Sequence, residues 1–188
     1  MGFKSQYEGK RRFASKVSYQ EYLDEALGEA VNELQSPGRD EVLTAIQNDM
    51  WEENVTPDEF KSSLSKSKHD LMLTDYSPSD FAKMKLFKLK GVDIGFALKD
   101  IGDKKHAEIV AVFNNSGVKG IGDALIQAAI RNGGKYLDHF DGFLTDLYTR
   151  NGFVEYKRDP YNPDYDEGGK FKQKYGPRDV IYRVYQGN

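Results

Sequence analysis

The sequence contains no cysteine, which excludes disulfide bonds, thiolate metal sites and a cysteine nucleophile. It has no apolar run near the roughly 18 residues that a membrane-spanning helix requires. The basic start, MGFKSQYEGKRRF, is not followed by the apolar segment of a secretory signal. The formal net charge of −3 gives no strong nucleic-acid signal, since general affinity for nucleic acid depends on neutralising phosphates. These absences predict a cytoplasmic protein that does not enter a membrane.

The composition is typical of a folded globular protein, with 38% hydrophobic and 30% charged residues. A chain of 188 residues is long enough for one domain of ordinary size and an extension. We place the boundary in the polar stretch KSSLSKSKHD, residues 61–70. The sequence therefore predicts an N-terminal helical extension over 1–70 and a second, larger domain over 71–188.

Helical periodicity runs through the predicted extension. Apolar residues recur at helical spacing over 18–35 and again over 40–53. Thr56 followed by Pro57 has the pattern of an N-cap and first helical residue, which begins a third helix. We expect these amphipathic helices to pack on the domain or on a partner protein.

From about residue 71 the pattern changes to short strands with two helices among them. The predicted order is strand MKLFKLKG, strand VDIGFALKD, strand AEIVAVF, a helix over 120–131, strand KYLDHF, helix LTDLYTR, strand FVEYKR and strand DVIYRVYQ. AEIVAVF is too apolar for a surface strand and is predicted to be central. The order predicts an α+β fold. The segment 159–178 is predicted to be a loop that lines an acceptor groove or docks to a partner.

The stretch NNSGVKGIGDALIQAAIRNGG, residues 114–134, places a glycine-rich turn between the central strand and a helix. Unpaired N–H groups and the helix dipole favour an anion at a helix N-terminus. Gly120 and Gly122 would let a phosphate approach the main chain, and Lys119 would add positive charge. The spacing matches neither a Walker A loop nor the dinucleotide-binding fingerprint. From the residues alone, a phosphate-binding turn and an ordinary helix start both remain open.

The segments VFNNSGVKGIGDALIQAAI and LYTRNGFVEY resemble the GCN5-related N-acetyltransferase (GNAT) superfamily, and the resemblance covers roughly 71–188. The positions that match the family's motifs are Val112, Gly120, Gly122, Ala124, Leu125, Tyr148, Gly152 and Phe153. The sequence departs from the family at Gly117, usually Gln or Arg, at Asn114, usually Pro, and at Asp141, often Asn. The last stretch also resembles GNAT-like domains of phage-encoded proteins, which would place the protein in a host cytoplasm or a phage particle.

The resemblance implies a GNAT-like, mixed and mostly antiparallel sheet flanked by helices. It also implies transfer of an acetyl group from acetyl-CoA, the cosubstrate, to an amine acceptor of unknown identity by direct attack. The glycine turn would hold the pyrophosphate, and the end of the strand 107–113 would splay from its neighbour to bind the pantetheine arm. The cofactor-binding residues that follow are Val110, Val112, Val118, Lys119, Gly120, Ile121, Gly122 and Asp123. No metal is expected.

The resemblance also assigns Tyr148 as the acid that protonates the departing thiolate, although a core aromatic residue would give the same pattern. Glu108 is the best candidate for the base, because a carboxylate on a central strand is costly without a purpose or a partner. A water-facing glutamate, or one paired with Lys105, is the alternative. In the segment DHFD, His139 could move protons beside Asp138, or could be a satisfied turn residue.

A second function from another class stays open. A phage protein could keep the GNAT-like fold as a non-catalytic scaffold, as a virion component or an inhibitor of a host factor. Its N-terminal helices would then dock to a protein partner. Gly117 and Asp141 favour this alternative, whereas the glycine turn and Tyr148 favour the enzyme.

Overall fold

The computed structural model of the protein describes residues 37–187, whose compact unit begins at Gly38. They contain a six-stranded sheet in the order β1-β2-β3-β4-β6-β5. The strands are β1 Lys85–Lys88, β2 Ile94–Asp100, β3 Ala107–Asn114, β4 Gly134–Phe140, β5 Phe153–Asp159 and β6 Val180–Tyr185. Only β3 and β4 are parallel; the other neighbours are antiparallel. The predicted α+β class with a mixed, mostly antiparallel sheet is confirmed. The predicted helix over 18–35 lies outside the described residues.

The helices are α1 Arg39–Gln47, α2 Pro57–Ser65, α3 Pro78–Phe81, α4 Gly122–Arg131, α5 Leu144–Arg150 and α6 Lys170–Tyr175. Short 3₁₀ turns cover Asp70–Met72, Pro163–Tyr165 and Glu167–Gly169. Helix α2 begins as its sequence predicts, with a capping box in which Thr56 and Glu59 satisfy each other's backbone N–H groups. In the part of the chain that the structure describes, no helix is long and apolar enough to cross a membrane.

The predicted helix over 40–53 ends early, at Gln47. Asp49 adopts a positive φ of 50°, which turns the chain out of the helix. Trp51 then forms an isolated bridge with Leu89, and its ring meets that of Phe96 edge-on at 5.2 Å. Contacts with the sheet therefore override the helical pattern of the last residues in this segment.

Helices cover both faces of the sheet. On one face, Val42 and Ile46 of α1 share a core with Leu125 and Ile126 of α4. On the other face, Phe60 of α2 packs against Phe81 and Phe113. Because α1 and α2 are packed on the sheet, the expected boundary in 61–70 does not appear as a break between compact units.

Strand β3 leaves its parallel neighbour after a short contact. Its register with β4 covers only Ala107 and Glu108. Further along β3, a bulge shifts the register with β2, and Ala111 takes a positive φ of 52°. The second half of β3 therefore has no ladder partner on its β4 side, and the two strands enclose a cleft.

Candidate active site

The cleft between β3 and β4 is a cavity of about 500 Å³. Its walls come from the segment 71–76, the bulged part of β3 at 109–112, and the end of β4 with the start of α5 at 138–144. Tyr148, Tyr165 and Arg178 complete the lining. The cavity thus combines apolar strand residues with carboxylate, hydroxyl and guanidinium groups, which suits a ligand that needs orientation as well as burial.

The glycine turn lies at the end of β3, where local hydrogen bonds shape it. Asn114 donates from Nδ2 to the carbonyl of Val118 over 2.8 Å, and the Ser116 hydroxyl accepts from the Val118 N–H. The first helical hydrogen bond of α4 runs from the N–H of Leu125 to the carbonyl of Ile121, and no side chain caps the helix. The N–H groups of 119–124 therefore have no helical acceptor.

The predicted cofactor residues separate into different environments. Val110 and Val112 line the cavity, whereas 118–123 do not. Ile121 is buried in the core, and Lys119 and Gly120 are exposed. An ideal Cβ at Gly122 would lie 3.3 Å from Leu147, so a side chain there would press on α5. The turn can thus offer main-chain N–H groups at the surface, next to the strand that lines the cavity.

Asp123 is engaged by the end of α5. Its carboxylate accepts hydrogen bonds from Arg150 Nε at 2.7 Å, Arg150 Nη2 at 3.0 Å and Asn151 Nδ2 at 2.7 Å. The hydrogen bonds with Arg150 are the main reason that the pKa of Asp123 is lowered. This side chain joins α4 to α5, so the predicted cofactor role falls to the main-chain N–H of Asp123, which also faces the residue's own carboxylate.

Arg39 brings a cation to the turn from outside the segment that resembles the family. Its Nη2 donates to the carbonyl of Gly120 over 3.3 Å, and an ideal Cβ at Gly120 would lie 3.0 Å from Arg39 Nε. Among residues 37–187, no carboxylate forms an ion pair with this exposed guanidinium. The sequence separation of 81 residues explains why sequence patterns did not reveal this cation at the turn.

Tyr148 is buried at the cleft wall, as both readings of its sequence position require. Its ring lies 4.9 Å from that of His139 and 6.0 Å from that of Phe153, measured between centroids. Its hydroxyl makes no hydrogen bond to another described residue, although the side chain lines the cavity. Burial raises the pKa of this hydroxyl, and the nearby charge of Asp138 adds to the rise. The group stays protonated at neutral pH and can donate.

His139 cannot exchange protons freely, because both of its ring nitrogens are engaged. Nδ1 donates to the carbonyl of Phe140 over 2.8 Å, and Nε2 accepts from Nε of Arg183 at 2.9 Å. Burial lowers the pKa of His139, which favours the neutral ring that this arrangement needs. This arrangement matches the alternative in which His139 is a residue whose hydrogen bonds are satisfied, rather than a proton shuttle.

Glu108 belongs to a polar cluster on the other side of the sheet. Its carboxylate lies 3.5 Å from Lys99 Nζ, not beside Lys105, and within hydrogen-bonding reach of Asp138. Lys99 Nζ also lies 5.7 Å from the centre of the Tyr76 ring. Asp138, rather than Glu108, lines the cavity. Burial and then the charge of Glu108 raise the pKa of Asp138.

The carboxylate of Asp141, one of the positions where the sequence departs from the GNAT pattern, is paired with an arginine. It accepts from Arg158 Nη1 at 2.8 Å and from the Thr145 hydroxyl at 3.0 Å. Hydrogen bonding to Arg158 lowers the pKa of Asp141. The main-chain carbonyl of Asp141 binds Arg178 at 2.8 Å. Because the same guanidinium also pairs with Glu155 and Asp179, it only partly offsets the negative charge at this position.

The segment 159–178 is more ordered than the loop that its composition predicts. Asp166 accepts from the main-chain N–H groups of Phe171 and Lys172, and so begins α6. Phe171 is buried against the Phe140 ring at 4.3 Å between centroids. Tyr165 is 90% exposed and lines both the cleft and a neighbouring cavity of about 470 Å³. The segment contributes to the mouth of the cleft.

Sequence reasoning named Asp138 only as one titratable group among others, and did not name Arg39. The alternation of β4 could have placed Asp138 opposite the buried His139, but only the fold shows that its neighbour is Glu108. Within residues 37–187, no group of three or more histidine, aspartate or glutamate side chains is placed to hold a metal ion.

No protein-family model matches the chain, and no curated protein matches it. Two solved structures are similar to it, both of N-acetylglutamate synthase from Neisseria gonorrhoeae. One is complexed with coenzyme A and L-arginine, the other with coenzyme A and N-acetyl-glutamate. Each is 14% identical with a TM-score of 0.41; the similarity covers 67% and 73% of this chain. The chain spans only 31% and 34% of the length of those enzymes.

Proposed function

We propose that the protein is an acetyl-CoA-dependent N-acetyltransferase that moves an acetyl group to an amine acceptor by direct attack. The observation that carries the proposal is the separation of the parallel strands β3 and β4 beyond Glu108. It opens a cavity lined by the bulged strand and by Tyr148, whose hydroxyl makes no hydrogen bond to another described residue, and the glycine turn follows β3.

The unpaired side of β3 suits an extended amide-containing ligand. Main-chain groups near Val110 and Val112 have no β4 partner, so they can bind the pantetheine arm as an added strand would be bound. Of the predicted turn 118–123, the N–H of Val118 already donates to Ser116, so the N–H groups that follow it would hold the pyrophosphate at the start of α4. Lys119 and Arg39 would add positive charge there, since neither side chain forms an ion pair with a carboxylate of the described residues.

The chemistry assigned to the cavity needs an acid and a base. Tyr148 would donate its hydroxyl proton to the departing thiolate, a role that its protonated state and its place in the lining support. Glu108, the base expected from the sequence, is ion-paired with Lys99 and does not line the cavity, whereas its neighbour Asp138 does. The base function is therefore proposed for this carboxyl pair.

The non-catalytic alternative makes a different prediction. A scaffold protein that docks through its N-terminal helices needs neither an open turn nor an unbonded tyrosine. The phage-type origin, the docking role of those helices and the location in a host cytoplasm or particle stay predictions.

Isothermal titration with coenzyme A and with acetyl-CoA tests the proposed function. We expect saturable binding in the micromolar range to the folded full-length chain. Release of free thiol from acetyl-CoA with spermidine, glucosamine and a lysine-containing peptide then tests transfer. A folded protein that binds neither nucleotide contradicts the proposal and favours the scaffold.

A further inference from the structure

We propose that Asp138 is the catalytic base that takes the proton from the acceptor's ammonium group, and that Glu108 is a positioning residue that acts through it. This inference rests on the proposed function. It deepens that function by assigning the acceptor as a cationic amine that binds on the Asp138 side of the cleft. The juxtaposition of two carboxyl groups at the point where β3 and β4 separate carries it.

The first step of the argument is the position of Asp138 on β4. Strand residues alternate between faces, so Leu137 and His139 point into the core with Tyr148, and Asp138 points to the other face. Because β3 has moved away here, that face opens into the cavity, and Asp138 and Tyr148 both line it. An acid and a base can therefore reach one bound molecule from two sides.

The second step is that Glu108 is held away from the cavity. Its side chain is only 20% exposed, and its carboxylate faces Lys99 Nζ. It does not line the cavity, whereas Asp138 does, in a recess where the surrounding protein partly desolvates its carboxylate but leaves it accessible. Of the two carboxyl groups, only Asp138 can touch an acceptor directly.

The third step is electrostatic, and it concerns every titratable or charged group that acts on Asp138. These are Glu108 of β3, Lys99 of β2, Tyr76 of the segment 71–76, Tyr148 of α5 and Tyr182 of β6. Burial is the largest cause that raises the pKa of Asp138; Glu108 adds to it by like charge and by a hydrogen bond to the protonated form, and Lys99 opposes it. A carboxylate with a raised pKa is a better proton acceptor near neutral pH.

The proposed step balances in atoms and charge. The acceptor's ammonium group gives one proton to the Asp138 carboxylate, which later releases it to water. The neutral nitrogen forms a C–N bond with the acetyl carbonyl carbon, and the C–S bond breaks. The sulfur takes the proton of the Tyr148 hydroxyl, and the second proton lost by nitrogen restores that hydroxyl. The products are the amide, coenzyme A as its thiol and one proton.

Carbon-13 NMR titration of the Asp138 carboxyl group tests the pair in the unliganded protein. We expect its pKa to lie above the ordinary aspartate value of about 3.9. Glu108→Gln should lower that pKa by removing the like charge, and Lys99→Met should raise it by removing the opposing cation. A carboxyl group that titrates at the ordinary value, or is unmoved by Glu108→Gln, overturns the inference.

Steady-state kinetics against pH test the catalytic role with the same variants. Asp138→Asn should lower kcat/KM about 10²- to 10³-fold, the usual size of a general-base contribution. The acidic limb of the kcat/KM profile should move to lower pH in Glu108→Gln and to higher pH in Lys99→Met. A purely structural role would not produce this pair of opposite shifts. Asp146→Asn, an exposed acid of α5 outside the lining, is the matched control and should behave as wild type.

The two proposals fail in different ways. Wild-type protein that binds no coenzyme A and releases no thiol overturns the proposed function. Wild-type protein that transfers acetyl groups, with an Asp138→Asn variant of equal kcat/KM and unchanged acidic limb, overturns only the role of Asp138.

Discussion

The buried guanidinium of Arg183 donates from Nε to Nε2 of His139 over 2.9 Å. Arg183 also donates from Nη1 to the Thr149 hydroxyl and to the carbonyl of Phe153, both at 3.1 Å. Within 37–187, no carboxylate forms an ion pair with this buried cation. The arrangement requires neutral His139, since a protonated ring has no lone pair to offer.

This relationship predicts an acid-sensitive fold. Burial lowers the pKa of His139, so below about pH 6.5 the unfolded chain binds a proton that the folded protein does not. The free energy of unfolding should therefore fall with decreasing pH in this window, by at most about 1.4 kcal/mol per pH unit. Urea unfolding at pH 7.5 and 5.5 measures the change.

His139→Gln is the matched variant for that experiment. Its side-chain oxygen can still accept from Arg183, and its amide can still donate to the Phe140 carbonyl, but it does not titrate. We expect a smaller loss of stability between pH 7.5 and 5.5 than in wild type. Carboxylate contributions are common to both proteins and cancel in the comparison. Equal losses would contradict the assignment to His139.

Much of the domain could be predicted from periodicity alone. The order of the six strands, with α4 and α5 among them, follows from strand-like and helical apolar patterns, because each pattern indicates which side of an element is buried. The pattern does not state what covers that side. The apolar faces of α1 and α2 therefore suggested a separate extension, whereas Val42 and Phe60 are buried against the sheet.

In the candidate site too, the sequence predicts local motifs but not which distant residues come together. The turn and Tyr148 stand out because each belongs to a local motif. Asp138 with Glu108, and Arg39 with Gly120, come together only through the splay of β3 and the packing of α1. Helix α6 was missed because its start depends on Asp166 accepting two main-chain N–H groups, within a stretch whose glycines and prolines indicate a loop.

Arg39→Ala should weaken binding of coenzyme A about fivefold, which corresponds to about 1 kcal/mol for one lost charge-assisted contact. The side chain is exposed and its one hydrogen bond to a described residue is the 3.3 Å contact with Gly120, so thermal stability should hardly change. Calorimetric titration at low salt gives the affinity, and added salt should narrow the difference in affinity between Arg39→Ala and wild type.

Lys104→Ala is the control. It removes an exposed cation from the loop between β2 and β3 and should bind coenzyme A as wild type does. Unchanged or tighter binding by Arg39→Ala would mean that its guanidinium is no ligand of the phosphates.

Ala111→Val should destabilise the protein by about 2 kcal/mol. Ala111 has a φ of 52°, a conformation costly for any L-residue and more so for a β-branched one. Ala111→Gly is the control at the same position. Relief of the positive φ should offset the lost methyl contacts, leaving stability within about 0.5 kcal/mol of wild type. Urea unfolding compares the three proteins, and equal stability of the valine and glycine variants would show that the bulge is not under strain.

Tyr148→Phe should lower kcat about 10²-fold with little change in affinity for coenzyme A, because it removes one proton donor and leaves the ring in place. The melting temperature should be unchanged, since the hydroxyl makes no hydrogen bond to another described residue.

Tyr175→Phe is a matched control for Tyr148→Phe, because the buried hydroxyl of Tyr175 also has no partner among the described residues and does not line the cleft. If both variants turn over as fast as wild type, Tyr148 is a core aromatic residue and the thiolate takes its proton elsewhere. If both are equally slowed, the effect comes from packing rather than from proton donation. Only a loss confined to Tyr148→Phe supports its role as the acid.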